Sequence, residues 1–125
     1  MTDLHDYQNR LLTFVAEREW GAFESPKNLA MALGGECGEL LAALQWLPDE
    51  EINDRMAKDE EFQREVAFEL ADILNYLLRL ARHLDVDLLS AAREKLAVNQ
   101  ARYPVETARG TAAKYTSLPG GEGAR

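Results

Sequence analysis

Four acidic side chains stand in this chain where apolar ones would be expected. Glu36 lies seven residues after Leu29 and four before Leu40, so a helix through this stretch carries it on the apolar row. Glu39 follows one turn on, and Ala32, Glu36, Glu39 and Ala43 make a single stripe whose small members leave room beside the two carboxylates. A second stretch repeats the arrangement. Glu69 is three residues after Val66 and Asp72 three after Glu69, with Phe62 before them and Tyr76 after. Two helices therefore each aim a pair of acids inward.

Burying an unpaired carboxylate costs several kcal/mol even after relaxation, so four converging ones call for relief by cations or by raised pKa values. A bound metal is the simplest relief. The set offers only oxygen, with no His or Cys in it, which suits Mg²⁺ or Mn²⁺ better than zinc. Three-residue spacing lets two carboxylates of one helix reach a common ion, as in bundles that hold metals between facing helices. The plainer reading is that the acids line a rim and pair with Lys or Arg. That is common for one such pair and much less so for two pairs on two core rows.

Long helices must carry these groups. Leu4, Tyr7, Leu11, Phe14 and Val15 recur at helical steps and predict a first helix ending near Trp20 and Gly21. Ser25 followed by Pro26 is a start signal, and the second helix runs from there to about Trp46, stopped by Pro48. Gly34, Gly35 and Gly38 interrupt its apolar row, and their cost in helix propensity suggests close approach by another backbone or a ligand. Pro48 to Glu61 is acidic and turn-rich, and is expected to be a solvated link to the third helix. That helix spans about Glu60 to Leu84, and Asp87 caps a fourth that extends to Tyr103 and stops at Pro104. No stretch alternates with period two. The expectation is an all-α fold: a bundle of four main helices over residues 1–104 and a mostly irregular tail over 105–125, with Pro119, Gly120, Gly121 and Gly123 near its end.

Composition narrows the partners. The chain has 125 residues, 46% hydrophobic and 29% charged, the balance of one globular domain. A net charge of -8 argues against a grip on polymeric DNA or RNA, which depends on clustered Lys and Arg. Small phosphorylated molecules stay open to an acidic protein when divalent cations stand between the charges. Cys37 is the only cysteine, so no intrachain disulfide and no Cys-rich zinc site can form; it is expected to be small core filler. The polar start from Met1 to Arg10 lacks the apolar core of a signal peptide, and no apolar run is long enough to span a bilayer. A soluble, cytoplasmic protein with no membrane partner is expected.

Glu36-Cys37-Gly38-Glu39 followed by Glu69-Leu70-Ala71-Asp72 resembles the ExxE and ExxD signature of the all-α NTP pyrophosphatases, the MazG-like group. Flanking stretches narrow the likeness to the dCTP pyrophosphatase branch: FVAEREW at Phe14 to Trp20, SPKNL at Ser25 to Leu29, GECGELLAALQW at Gly35 to Trp46, Lys95 to Pro104, and RGTAAKYTSLP at Arg109 to Pro119. The gap between Glu39 and Glu69 is at the long end of that pattern.

The resemblance implies that Glu36, Glu39, Glu69 and Asp72 hold magnesium, with manganese a possible substitute, against the triphosphate of a nucleotide. Water then attacks phosphorus and pyrophosphate leaves, with Glu36 or Glu39 accepting the proton. Trp20 and Trp46 end the first and second helices, and the resemblance assigns them to a base pocket, whereas a tryptophan taken alone is more often core or interface. Tyr76, one turn beyond Asp72, closes that pocket or packs in the core. Lys95, Asn99 and Arg102 fall on successive turns of the fourth helix and can donate to phosphate or sugar, or make a solvated or intersubunit face. His5 and His83 are isolated in sequence and carry no assigned role. The activity implied is magnesium-dependent cleavage of a dNTP, dCTP or a modified dCTP, in nucleotide-pool sanitation. The same chemistry on dUTP, a broad NTP set or phosphoribosyl-ATP is the alternative, and a non-catalytic helical scaffold stands further off. By the same analogy the chain assembles as a homotetramer, a dimer of dimers.

Overall fold

The computed structural model describes residues 3–120, and every regular element among them is helical. In order they are α1 (Leu4–Glu17), a 3₁₀ turn (Trp20–Phe23), α2 (Pro26–Leu44), α3 (Asp49–Lys58), α4 (Glu60–His83), α5 (Leu88–Arg102), α6 (Val105–Ala108) and a second 3₁₀ turn (Tyr115–Ser117). Gly121 and Gly123 of the expected tail lie outside the described residues. The chain forms two compact units, the first running through Val86 and the second beginning at Asp87. No described helix is long and apolar enough to cross a membrane.

Helix starts follow the capping signals. The Ser25 hydroxyl accepts from the Asn28 amide at 3.0 Å with Pro26 at the first helical position, and the Asp87 carboxylate accepts from the Ser90 amide at 3.0 Å. Asp59 does the same for α4 through the Phe62 amide at 3.1 Å. Each such cap contributes about 1 kcal/mol by satisfying an orphan donor.

The acidic link is where the expectation fails. Asp49 to Lys58 is a helix, and the described residues form six α-helices where spacing predicts four main ones. Asp49, Glu50 and Glu51 occupy its first turn and Arg55 and Lys58 its last, so both ends suit the helix dipole. Glu51 pairs with Arg55 and Asp54 with Lys58 at 2.6 Å, both one turn apart. Charge order, which looked like solvated loop, is what stabilises this helix.

Within the first unit α2 and α4 form the principal helix pair, with α1 and α3 also against α4. Leu78 on α4, 1% exposed, anchors it together with Phe62, Val66 and Ala81 of the same helix, Leu29 of α2 and Val15 of α1, all buried. Burying a leucine this completely stabilises the fold by about 2 kcal/mol. The Gln8 amide ties α1 to α4 by donating to the Leu78 carbonyl at 2.8 Å. Two expectations are corrected here. Cys37 is exposed and fills no core, because α2 turns that side away from α4. Among the described residues a Cβ added at Gly34, Gly35 or Gly38 meets nothing within 4 Å, so no described backbone approaches them and a ligand is left as the expected cause.

In the second unit the Tyr103 hydroxyl accepts from the Tyr115 amide at 3.3 Å, and the two rings meet edge to face at 6.0 Å. Arg102 covers the other ring with its guanidinium 4.6 Å from the Tyr115 centroid. These contacts fold the segment after Pro104 back on the end of α5.

Candidate active site

Side-chain oxygens of Glu36 on α2 and of Glu69 and Asp72 on α4 all lie within 4.8 Å of one another. Their helices were started by Ser25-Pro26 and by Asp59, and the shared register of α2 and α4 brings the two motifs face to face. Glu36 and Glu69 are half-buried and Asp72 is exposed. Glu39, also exposed, stands outside this tight group but close enough to repel Glu69.

Glu69 is the centre of the strain. Its Oε2 is buried and has no hydrogen-bond partner in the protein. Its carboxyl is raised above the usual carboxylate range, first by burial, then by a hydrogen bond to Glu36, and then by repulsion from Glu36, Glu39 and Asp72. Among the described residues no cation is paired with Glu36, Glu69 or Asp72. An orphaned carboxylate oxygen inside an all-oxygen donor set fits a hard divalent ion.

One turn along both helices is a cavity of about 330 Å³. Ala32 of α2 and Tyr76 of α4, each four residues from an acid of the cluster, line it together with Trp20, Phe23 and Asn28. Its remaining polar members are Glu24 and Arg79. The Arg79 Nε and Nη2 both donate to Glu24 Oε1, the former at 2.7 Å, and His83 Nε2 lies 3.0 Å from Glu24 Oε2. The Arg79 guanidinium also sits 4.9 Å over the Tyr76 ring. Aromatic walls and a polar corner are the means by which a planar heterocycle is held.

The other residues singled out in the sequence divide. Trp20 and Tyr76 share this cavity, but Trp46 is 83% exposed and lies past the far end of α2. Ala32, which shares the cavity with Trp20, stands 12 residues before the end of α2 at Leu44, about 18 Å of helix, and within one chain the two tryptophans cannot sandwich one base. Lys95, Asn99 and Arg102 belong to α5 in the second unit, where Lys95 is exposed, Asn99 half-buried and Arg102 engaged with Tyr115. Glu24, Arg79 and His83 went unnoticed. A signal existed on α4, where Tyr76, Arg79 and His83 are spaced three and four apart on one face, but nothing local links them to Glu24, 55 residues before Arg79.

Comparison with known proteins agrees with this architecture. The MazG-like family model matches residues 33–118, which include all four acids. The chain is 45% identical to dCTP pyrophosphatase 1 of Bos taurus and 42% identical to that of Rattus norvegicus, in each case over 94% of this chain and 69% of the relative. A crystal structure of a pyrophosphatase from Archaeoglobus fulgidus superposes with a TM-score of 0.74 at 30% identity, covering 83% of this chain and 94% of that one. With more than half its length matched by the family model, and relatives this similar spanned over two-thirds of theirs, the chain belongs to the MazG-like family.

Proposed function

We propose that the chain hydrolyses dCTP, or a dCTP modified on its base, to the monophosphate and pyrophosphate, with Mg²⁺ or Mn²⁺ held by Glu36, Glu39, Glu69 and Asp72. The enzyme class itself, a nucleoside triphosphate pyrophosphohydrolase, stands on the kinship above. One observation carries the rest: the buried, unpartnered Glu69 Oε2, set among like charges one helical turn from an aromatic cavity.

When bound, a divalent ion would neutralise the triphosphate and lower the pKa of the attacking water. The carboxylates of Glu36, Glu69 and Asp72 would be its main holders, with Glu39 at the edge of the set. Glu39, exposed and outside the tightest group, is the freer of the two catalytic glutamates to take the proton from water, while Glu36 is committed to the cluster. Trp20 and Tyr76 stack the base. Trp46 remains assigned to substrate, reaching it from a second copy of the chain, and the α5 donors Lys95, Asn99 and Arg102 remain assigned to substrate as well. Large exposed side chains, Phe23 at 75%, Met31 at 66%, Leu41 at 60% and Trp46 at 83%, support a homo-oligomer, taken as a dimer of dimers. A cytoplasmic place in nucleotide-pool sanitation completes the reading.

Pyrophosphate release from each dNTP, from dUTP, from modified dCTPs and from phosphoribosyl-ATP, with Mg²⁺ and with EDTA, tests it. The expected result is preference for the cytosine nucleotides and no turnover in EDTA. A flat profile across bases, or turnover in metal-free buffer, would overturn the substrate or the metal assignment respectively.

A further inference from the structure

We propose that Arg79 reads the base, donating from its Nη1 to the 2-carbonyl of the pyrimidine, with Glu24 as the residue that positions it. The inference rests on the nucleotide reading above and names the part of the cavity that recognises the substrate. Arg79 presents two edges. The Nε and Nη2 edge is committed to Glu24 Oε1, and the face is committed to Tyr76 at 4.9 Å. Nη1 has no hydrogen-bond partner among the described residues, although the Arg79 side chain is only 13% exposed and lines the cavity. Guanidinium groups are donors only, so the group it lacks is an acceptor.

The acceptor is a neutral carbonyl and not a phosphate. Glu24, 5% exposed, already supplies the countercharge, and His83 braces the other carboxylate oxygen at 3.0 Å. A cation compensated in this way has little long-range pull on a triphosphate, but its fixed plane is well suited to a directional hydrogen bond. The surroundings point the same way. Trp20, Phe23 and Tyr76 wall the cavity, which places Arg79 where a ring stacks, while the acids that would meet the phosphates sit one turn along α2 and α4. Because Arg79 is held by a carboxylate from the segment between Phe23 and Ser25, the pair also ties the turn bearing Trp20 to α4. One side chain thus sets both the width of the cavity and the atom it selects.

Calorimetric binding in Mg²⁺ tests the assignment with three ligands: a non-hydrolysable dCTP analogue, the same analogue lacking the 2-carbonyl, and inorganic tripolyphosphate. The wild-type protein should bind the carbonyl-bearing nucleotide roughly 10- to 100-fold more tightly than the one lacking it, as a hydrogen bond to a charged donor does. Arg79→Lys keeps a charge for Glu24 but cannot serve both partners, so it should abolish that ratio and leave tripolyphosphate affinity unchanged. Glu24→Gln, with the same shape and a weaker hold, should narrow the ratio and raise KM more than it lowers kcat. Equal affinity of the wild type for the two nucleotides overturns the proposal without any variant. So does a loss of tripolyphosphate binding in Arg79→Lys equal to its loss of nucleotide, which would make Arg79 a phosphate ligand or a structural brace. A wild-type protein that binds tripolyphosphate but neither nucleotide would sink the nucleotide reading itself, an outcome distinct from the other two.

Discussion

Helix α4 takes part in two charged clusters of opposite character, one with Glu24 from the segment just ahead of α2 and one with α2 itself. In one, Glu24 is almost wholly buried but meets Arg79 and His83 on both of its oxygens. In the other, Glu69 meets Glu36, Glu39 and Asp72, and one of its oxygens meets nothing. Burial is similar in kind, so the difference lies in compensation. The first cluster is electrically complete and can position side chains without help. The second is left uncompensated by the protein's own side chains, which is what the proposed cation site requires and what a purely structural cluster avoids.

The contrast can be broken from either side. The largest effect is expected at Glu69→Gln, which should lower turnover by roughly a thousandfold or more, about 4 kcal/mol of barrier, because a ligand and its charge are lost together. The same variant should melt no lower than the wild type in EDTA, since Gln suits a site that disfavours the carboxylate. A Glu69→Gln protein that turns over normally would return Glu69 to the role of an ordinary structural acid. Removing the partner in the compensated cluster has the opposite signature. Glu24→Ala should destabilise the fold by about 3 kcal/mol in denaturant unfolding, by stranding Arg79 at its low exposure. A loss under 1 kcal/mol would mean that Arg79 finds water through the cavity.

Smaller effects sharpen the comparison. Mg²⁺ at ten times its Kd should stabilise the wild type by about 1.4 kcal/mol, visible as a raised Tm that Glu69→Gln does not show. Trp20→Ala should raise KM roughly tenfold with little change in kcat, as the loss of a stacking face does, and should do so more than Trp46→Ala assayed as a dilute protein. The reverse order would show that Trp46 reaches the base from a neighbouring copy. Finally, in EDTA the raised Glu69 carboxyl binds its proton in the native state before the unfolded chain does. The native state then carries the extra proton between the unfolded and the folded pKa, so stability should rise as pH falls through the folded value and level off below 4.5, the ordinary value of the side chain. Saturating Mg²⁺ should remove that rise, and a metal-free Tm that falls over the same interval would contradict it.

Much of this was legible in the sequence, for reasons that are local. Ser25-Pro26 and Asp87 mark helix starts because capping involves neighbours three residues apart. Glu36, Glu69 and Asp72 betray themselves by occupying apolar rows, and the row is a property of one helix. What stayed hidden depends on other scales. The α3 segment is short, begins after Pro48 and is rich in acids, so its charge order was outweighed by its composition. Trp20 and Trp46 flank the second helix, as its sequence bounds already imply, but nothing local in the sequence says which of them shares a cavity with Tyr76. The Glu24–Arg79 pair joins positions 55 apart and leaves no periodic trace. The cost of Gly34, Gly35 and Gly38 in helix propensity points to close approach, and the small size of Cys37 to a core, but neither property says which side of α2 packs, and among the buried residues α2 contributes only Leu29.

The spacing of the two clusters has a metric consequence. From Ala32 to Glu36 on α2, and from Tyr76 back to Asp72 on α4, the cavity and the acids are offset by the same four residues. At the helical rise this is about 6 Å on each side, and neither helix can stretch. In the function proposed above, the pair works as a gauge that measures its substrate. A ring seated against Tyr76 can present a phosphate to the acids only if what joins them is about as long as one sugar. On the proposed reading, base identity is a matter of hydrogen bonds, whereas the position of the broken bond follows from the pitch of the α-helix.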